Sequence, residues 1–88
     1  MTIKNTVWAM ESKLPPVPKL LLIYFAEWAD IHGDVDDPPM AEMAAFCGVT
    51  YACIKAAIEE LEEVGYIHRR LSSSDRGSPV IRLNTDHT

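Results

Sequence analysis

Between Lys19 and Ile31 the chain is apolar at Leu20, Leu21, Leu22, Ile23, Tyr24, Phe25, Ala26, Trp28, Ala29 and Ile31, and no breaker interrupts it. Strands typically run four to eight residues, so this stretch predicts a helix of about three and a half turns. Pro18 suits the first turn, where its missing N–H costs nothing, and Gly33 supplies the stop. The helix is apolar nearly all round over its first two turns, so two of its faces are expected to be covered. Met40 to Cys47 reads as a second, short helix with Met43, Ala44, Phe46 and Cys47 turned inward. Gly48 and Val49 break it, and Thr50 is a good N-cap for a third helix. From Tyr51 to about Val64 the residues Ile54, Ala57, Ile58, Leu61 and Val64 form a single apolar stripe, which predicts that helix and its end at Gly65. Tyr66 to Leu71 alternates loosely as a strand, Ser72 to Pro79 is turn-forming, and Val80 to Leu83 is the returning strand.

The remaining segments carry weaker patterns. Residues 1–14 show no clear period, and Val7, Trp8, Met10 and Leu14 read as an arm folded onto the core. Pro15 to Pro18 is a stiff, extended lead-in. Asp34 to Pro39 is an acidic, proline-rich turn with room for a very short strand. The predicted organisation is an arm over residues 1–18, one domain over 19–84 and a short tail over 85–88.

Length and composition agree with this. Eighty-eight residues suit one small core, and 48% apolar with 24% charged residues is ordinary globular composition. The longest apolar run, Leu20 to Ala26, is far short of the ~20 residues a membrane helix needs, and no signal-type segment is visible, so a cytoplasmic protein is expected. Cys47 and Cys53 are too few for a disulfide scaffold and read as small core residues in a reducing compartment. His32, His68 and His87 share no ligand spacing, so neither a metal nor another cofactor is expected.

Charge complicates the picture. The net charge is −5, split into +2 over residues 1–26, −9 over 27–65 and +2 over 66–88. All four arginines, Arg69, Arg70, Arg76 and Arg82, fall within one 14-residue stretch near the C-terminus. A simple basic nucleic-acid binder would not look like this overall, but the asymmetry demands a reason.

A helix-turn-helix needs a small residue inside its first helix and a tight turn four residues later, because the two helices cross closely. Ala44 and Gly48 meet that demand, and Met43, Cys47, Val49 and Ile54 supply the apolar flanks. Three helices followed by a β-hairpin is the element order of a winged helix-turn-helix, a mainly α fold with a hairpin wing. Over about Lys19 to Leu83 the chain also resembles known families. Lys19-Leu20-Leu21-Leu22 through Ala26, Ala29 and Gly33 looks like the first helix of domains in phage and plasmid replication proteins. The run from Ile54 through Leu61, Gly65, Tyr66 and Ile67 to Arg69 is similar to a junction shared by many bacterial winged-helix regulators. Ser74-Asp75-Arg76 followed by Val80-Ile81-Arg82-Leu83-Asn84 resembles the wing of MarR-type regulators. The resemblance implies a regulator or replication accessory that binds double-stranded DNA.

In that mode the third helix presents the start of its exposed face to the major groove. Thr50 and Tyr51 are candidates for phosphate or base, Lys55 for guanine or phosphate, and Ala52 and Ala56 for thymine methyls, with Glu59 as a further candidate at the end of that face. Arg76 on the wing is a candidate for the minor groove, and Arg69, Arg70 and Arg82 for phosphates. Plainer readings stand beside these: Lys55 as a solvated lysine, Arg76 as a charge blunting an edge strand, and Glu59, Glu60, Glu62 and Glu63 as a solvated helix face. So few cations predict a dimer that binds two half-sites, with Leu20, Tyr24, Trp28 and the N-terminal arm as the contact. The competing class is a protein-interaction module using the acidic face of Glu59 to Glu63 with Asp34, Asp36 and Asp37. No nucleophile elbow, phosphate-binding glycine loop or metal motif is present, so no enzyme is expected.

Overall fold

The structure, a computed structural model, describes residues 3–71 and 79–86. The hairpin tip expected over Ser72 to Ser78, with Arg76, lies outside the described residues.

The first segment is a helix, α1 (Ile3–Met10), where the sequence pattern predicts only an arm. Its inward side carries the half-buried Asn5 and Trp8 and the buried Ala9, continued by buried Ser12 in the turn that follows, while Val7 and Met10 face outward. The i, i+3, i+4, i+7 stripe that enters the core is thus half polar, and an apolar-period reading passes over it. Ser12, the buried polar residue, donates its hydroxyl to the Ala9 carbonyl at 2.7 Å.

Helix α2 (Pro16–Trp28) begins three residues before the expected start and ends three before the expected end. The prolines explain the first shift. Pro16 and Pro18 occupy the opening turn, where backbone N–H groups have no helical acceptor, and Lys19 makes the first bond, to the Pro15 carbonyl at 3.0 Å. Asp30 explains the second. Its Oδ1 accepts from the backbone N–H groups of His32 at 2.8 Å and Asp34 at 3.0 Å, an aspartate turn that competes with the helix. Ala29 is already extended, and Ile31 stands outside the helix.

Helices α3 (Met40–Cys47) and α4 (Tyr51–Val64) match the sequence expectation at both ends. Gly48 ends α3 in the left-handed region at φ 70°, and the Val49 N–H returns to the Ala44 carbonyl at 3.0 Å. Gly65, at φ 103°, ends α4. It donates to the Glu62 carbonyl at 3.1 Å while Tyr66 donates to Leu61 at 2.9 Å, so the last carbonyls are satisfied.

Three short strands form one antiparallel sheet: β1 (Asp34–Asp36), β2 (Ile67–Leu71) and β3 (Pro79–Leu83), in the order β1-β3-β2. The register pairs Asp34 with Arg82, Val35 with Ile81, and Ile67 with Leu83. Alternation along the strands then turns Val35, Ile67, Ile81 and Leu83 toward the helices and Asp34, His68, Arg70 and Arg82 to the other side. The core joins that inner sheet face to Leu21, Leu22 and Phe25 of α2, Met43 of α3, and Ile54, Ile58 and Leu61 of α4. No single helix among the described residues is long and apolar enough to cross a membrane.

Candidate nucleic-acid interface

The bend between α3 and α4 turns the chain by 94° over three residues. Thr50 opens α4 as expected, its Oγ1 accepting the Cys53 N–H at 3.2 Å. Removing that cap by Thr50→Ala should cost about 1 kcal/mol in urea unfolding, with Thr50→Ser close to wild type. Of the expected apolar stripe, Ile54, Ala57, Ile58 and Leu61 are buried while Val64, at the end of the helix, is exposed, which leaves Thr50, Tyr51, Ala52, Lys55 and Ala56 together on the exposed side of the first two turns. Lys55 forms no ion pair among the described residues. Cys53 also lies on this exposed side and not in the core. Cys47 is half-buried, and that burial pushes its thiol pKa up. Glu59 and Glu63 continue the exposed side into the C-terminal half of α4.

Arg69, Arg70 and Arg82 do not form one patch. Arg69 pairs with Ile81 on the inner register and reaches α4, where its Nε donates to Glu62 Oε1 at 2.8 Å and its backbone N–H donates to Oε2 at 3.2 Å. Arg70 and Arg82 lie on the opposite sheet face and share one carboxylate, Asp34. Arg82 binds it with two bonds, Nε to Oδ1 at 2.7 Å and Nη2 to Oδ2 at 3.1 Å, and Arg70 adds Nη2 to Oδ2 at 3.0 Å. The Arg82 hydrogen bond is the main reason that the Asp34 carboxyl is held below its ordinary pKa, with both guanidinium charges adding to it against the opposing effect of burial. The same pair raises Arg82. Glu62 is lowered chiefly by the side-chain bond from Arg69. Arg69, Arg70 and Arg82 each keep about half of the side chain in solvent. These three candidate residues therefore have intramolecular partners, and two acids counted in the acidic face, Asp34 and Glu62, are neutralised by them. Asp36 and Asp37 remain exposed.

Of the expected dimer contact, Leu20 and Trp28 are exposed, whereas Tyr24 is buried against Phe46, their rings 5.3 Å apart. Phe46 itself, expected inward, faces solvent. Two surface grooves contain none of the residues predicted to touch DNA. One is flanked by Trp8 and Tyr66, beside Lys4 and Lys13; the other lies between α2 and α3. Comparison with known proteins gives no match: no family model, curated protein or solved structure resembles the chain closely enough to assign it.

Proposed function

We propose that this chain is a winged helix-turn-helix domain that binds double-stranded DNA, as a transcriptional regulator or replication accessory, with α4 in the major groove and the β2–β3 hairpin as its wing. The observation that carries the reading is the outward face of the first two turns of α4. It comes after a right-angle bend, is fixed by the Thr50 cap, holds Lys55 with no ion-pair partner among the described residues, and is free of carboxylates until Glu59. The order β1-β3-β2, with the hairpin directly after α4, supports the same fold assignment. Small side chains at Ala52 and Ala56 let the helix backbone approach base edges, and Tyr51 adds a phosphate or base partner.

The three ion-paired arginines lower the electrostatic contribution. With Lys55, Arg76 and at most one partly released guanidinium engaged, roughly two to three phosphates are neutralised. Affinity for a random duplex, read by fluorescence anisotropy, should then fall about 10–40-fold over a fourfold rise in salt. Lys55→Ala and Arg76→Ala should each weaken binding and lower the salt slope by about one. A wild-type protein that shows no binding at ~20 mM salt, where the phosphate contribution is largest, overturns the reading.

A further inference from the structure

Two exposed aromatic side chains lie where α2 meets α3, and a third large apolar residue is exposed just beyond the end of α2. Trp28 is 66% exposed, Phe46 53%, and Ile31, three residues beyond Trp28, 86%. Trp28 and Phe46 flank the buried ring of Tyr24, at centroid distances of 6.1 and 5.3 Å. A groove of about 800 Å³ runs along them, completed by Ile23, Glu27 and Ala29. A small domain gains nothing in solvent from two exposed aromatic rings on either side of a buried one, and such patches mark interaction sites.

The surroundings state what kind of partner fits. Among the described residues, Glu27 is the only ionisable group lining the groove apart from the Tyr24 hydroxyl, and its one described partner is the neutral Thr6 hydroxyl at 3.3 Å, so its charge is not cancelled. Glu42 precedes Phe46 by one helical turn and so shares its side of α3; its charge is felt at Tyr24, whose hydroxyl pKa is raised by burial and then by Glu42. No lysine or arginine among the described residues lines the groove. The row of rings, with neighbouring centroids 5–6 Å apart, offers a shelf for apolar side chains at helical spacing. DNA and anionic lipid are repelled by the two carboxylates. A second copy related by a two-fold axis would bring the same acidic rim against itself, on chains that each carry −5.

We infer that the α2–α3 groove is a docking surface for a basic amphipathic helix of a protein partner, with aliphatic residues on Trp28 and Phe46 and flanking lysines or arginines on Glu27 and Glu42. Lysine and arginine stems cover aromatic rings while their charged heads reach the acids, and an exposed indole face attracts a cation directly. The site involves none of the residues assigned to DNA, so it stands whether or not the domain binds DNA.

The test uses the full chain carrying Trp8→Phe, which leaves Trp28 as the only indole, since the protein has two tryptophans. The probe is a 14-residue helix of leucine and lysine with leucines at i, i+3, i+4 and i+7; its leucine–glutamate counterpart is the control. The lysine peptide should bind saturably and shift Trp28 emission to shorter wavelength, and the glutamate peptide should not bind. With labelled peptide, Trp28→Ala and Phe46→Ala should each weaken binding by about tenfold. The Glu27→Gln/Glu42→Gln pair should weaken it and flatten its salt dependence, while Glu59→Gln/Glu63→Gln should leave it unchanged. Trp28 and Phe46 are exposed, so circular dichroism should show their variants folded. Equal binding by Trp28→Ala, or a larger loss from the Glu59/Glu63 pair, places the peptide elsewhere and overturns the inference. So does a concentration-dependent dimer in sedimentation that Trp28→Ala abolishes, because the groove is then filled by a second copy.

Discussion

Phe25→Ala is expected to destabilise the domain by about 3–5 kcal/mol, more than any other substitution proposed for it, read as a lower urea midpoint by circular dichroism. Phe25 has no exposed surface and sits in the last turn of α2, in the cluster that joins α4 to the inner face of the sheet. Removing its ring forfeits both the transfer of apolar surface out of water and the packing contacts of the cavity walls, and secondary structure on all sides limits how far the site can collapse. For 88 residues the total stability is of order 4–13 kcal/mol, so the loss is a large share of it and at the lower end unfolds the variant outright. The internal control lies one turn further along the same helix. Trp28 is a larger aromatic, but it is mostly in solvent, and Trp28→Ala should shift stability by less than about 1 kcal/mol. If the two variants unfold at similar urea concentrations, α2 does not present Phe25 to the core and Trp28 to solvent.

The same helix shows which features are readable in the sequence and which are not. Its existence follows from an unbroken apolar run, but its ends are decided by local chemistry that hydrophobic period does not encode: prolines that belong to the first turn, and Asp30 claiming two backbone N–H groups for a turn. Helices α3 and α4 are legible to the residue because Gly48, Thr50 and Gly65 each have a strong backbone or capping preference. Helix α1 escapes a periodic reading because its inward side, with the turn that follows, carries Asn5 and Ser12 beside Trp8 and Ala9, so burial and apolar period disagree. The outward turn of Phe46 escapes it too, because an eight-residue helix has too few turns for period alone to choose between neighbouring faces.

The candidate site divides in a similar way. The exposed start of α4 follows from the complementary buried stripe and needs no long-range information. The arginines do need it. Neighbours in sequence, Arg69 and Arg70 point to opposite faces of β2 because strand side chains alternate. Their partners are distant: Asp34 is 36 residues from Arg70 and 48 from Arg82. A charge count along the chain therefore shows a basic stretch after an acidic one, while the fold pairs the two and leaves little net charge on the outer sheet face.

Asp34→Ala tests that pairing. The Asp34 side chain is only 13% exposed and receives three charge-assisted hydrogen bonds, two from Arg82 and one from Arg70. Its removal should cost about 1–2 kcal/mol, less than a buried ion pair would, because the half-exposed guanidinium groups can take up water in place of the lost oxygens. The pH dependence has a definite sign. A carboxyl held below its ordinary pKa stabilises the folded state fully above that ordinary value, 3.8 for aspartate, and loses its contribution as pH falls toward the depressed native value. Wild type and Asp34→Ala should thus differ by a constant amount at neutral pH and converge in acid. A gap that persists unchanged through the acid range means that the carboxylate charge is not what holds β1 to β3. Asp34→Asn separates charge from shape, and should fall between the two. On the DNA reading the same substitution acts in the opposite direction on binding. Freed from Asp34, Arg70 and Arg82 become available to phosphates, so a folded Asp34→Asn protein should bind random duplex more tightly than wild type, with a salt slope steeper by up to about two. A less stable protein that binds DNA better is not what a purely structural aspartate would produce, and an unchanged slope would mean that neither arginine faces the nucleic acid.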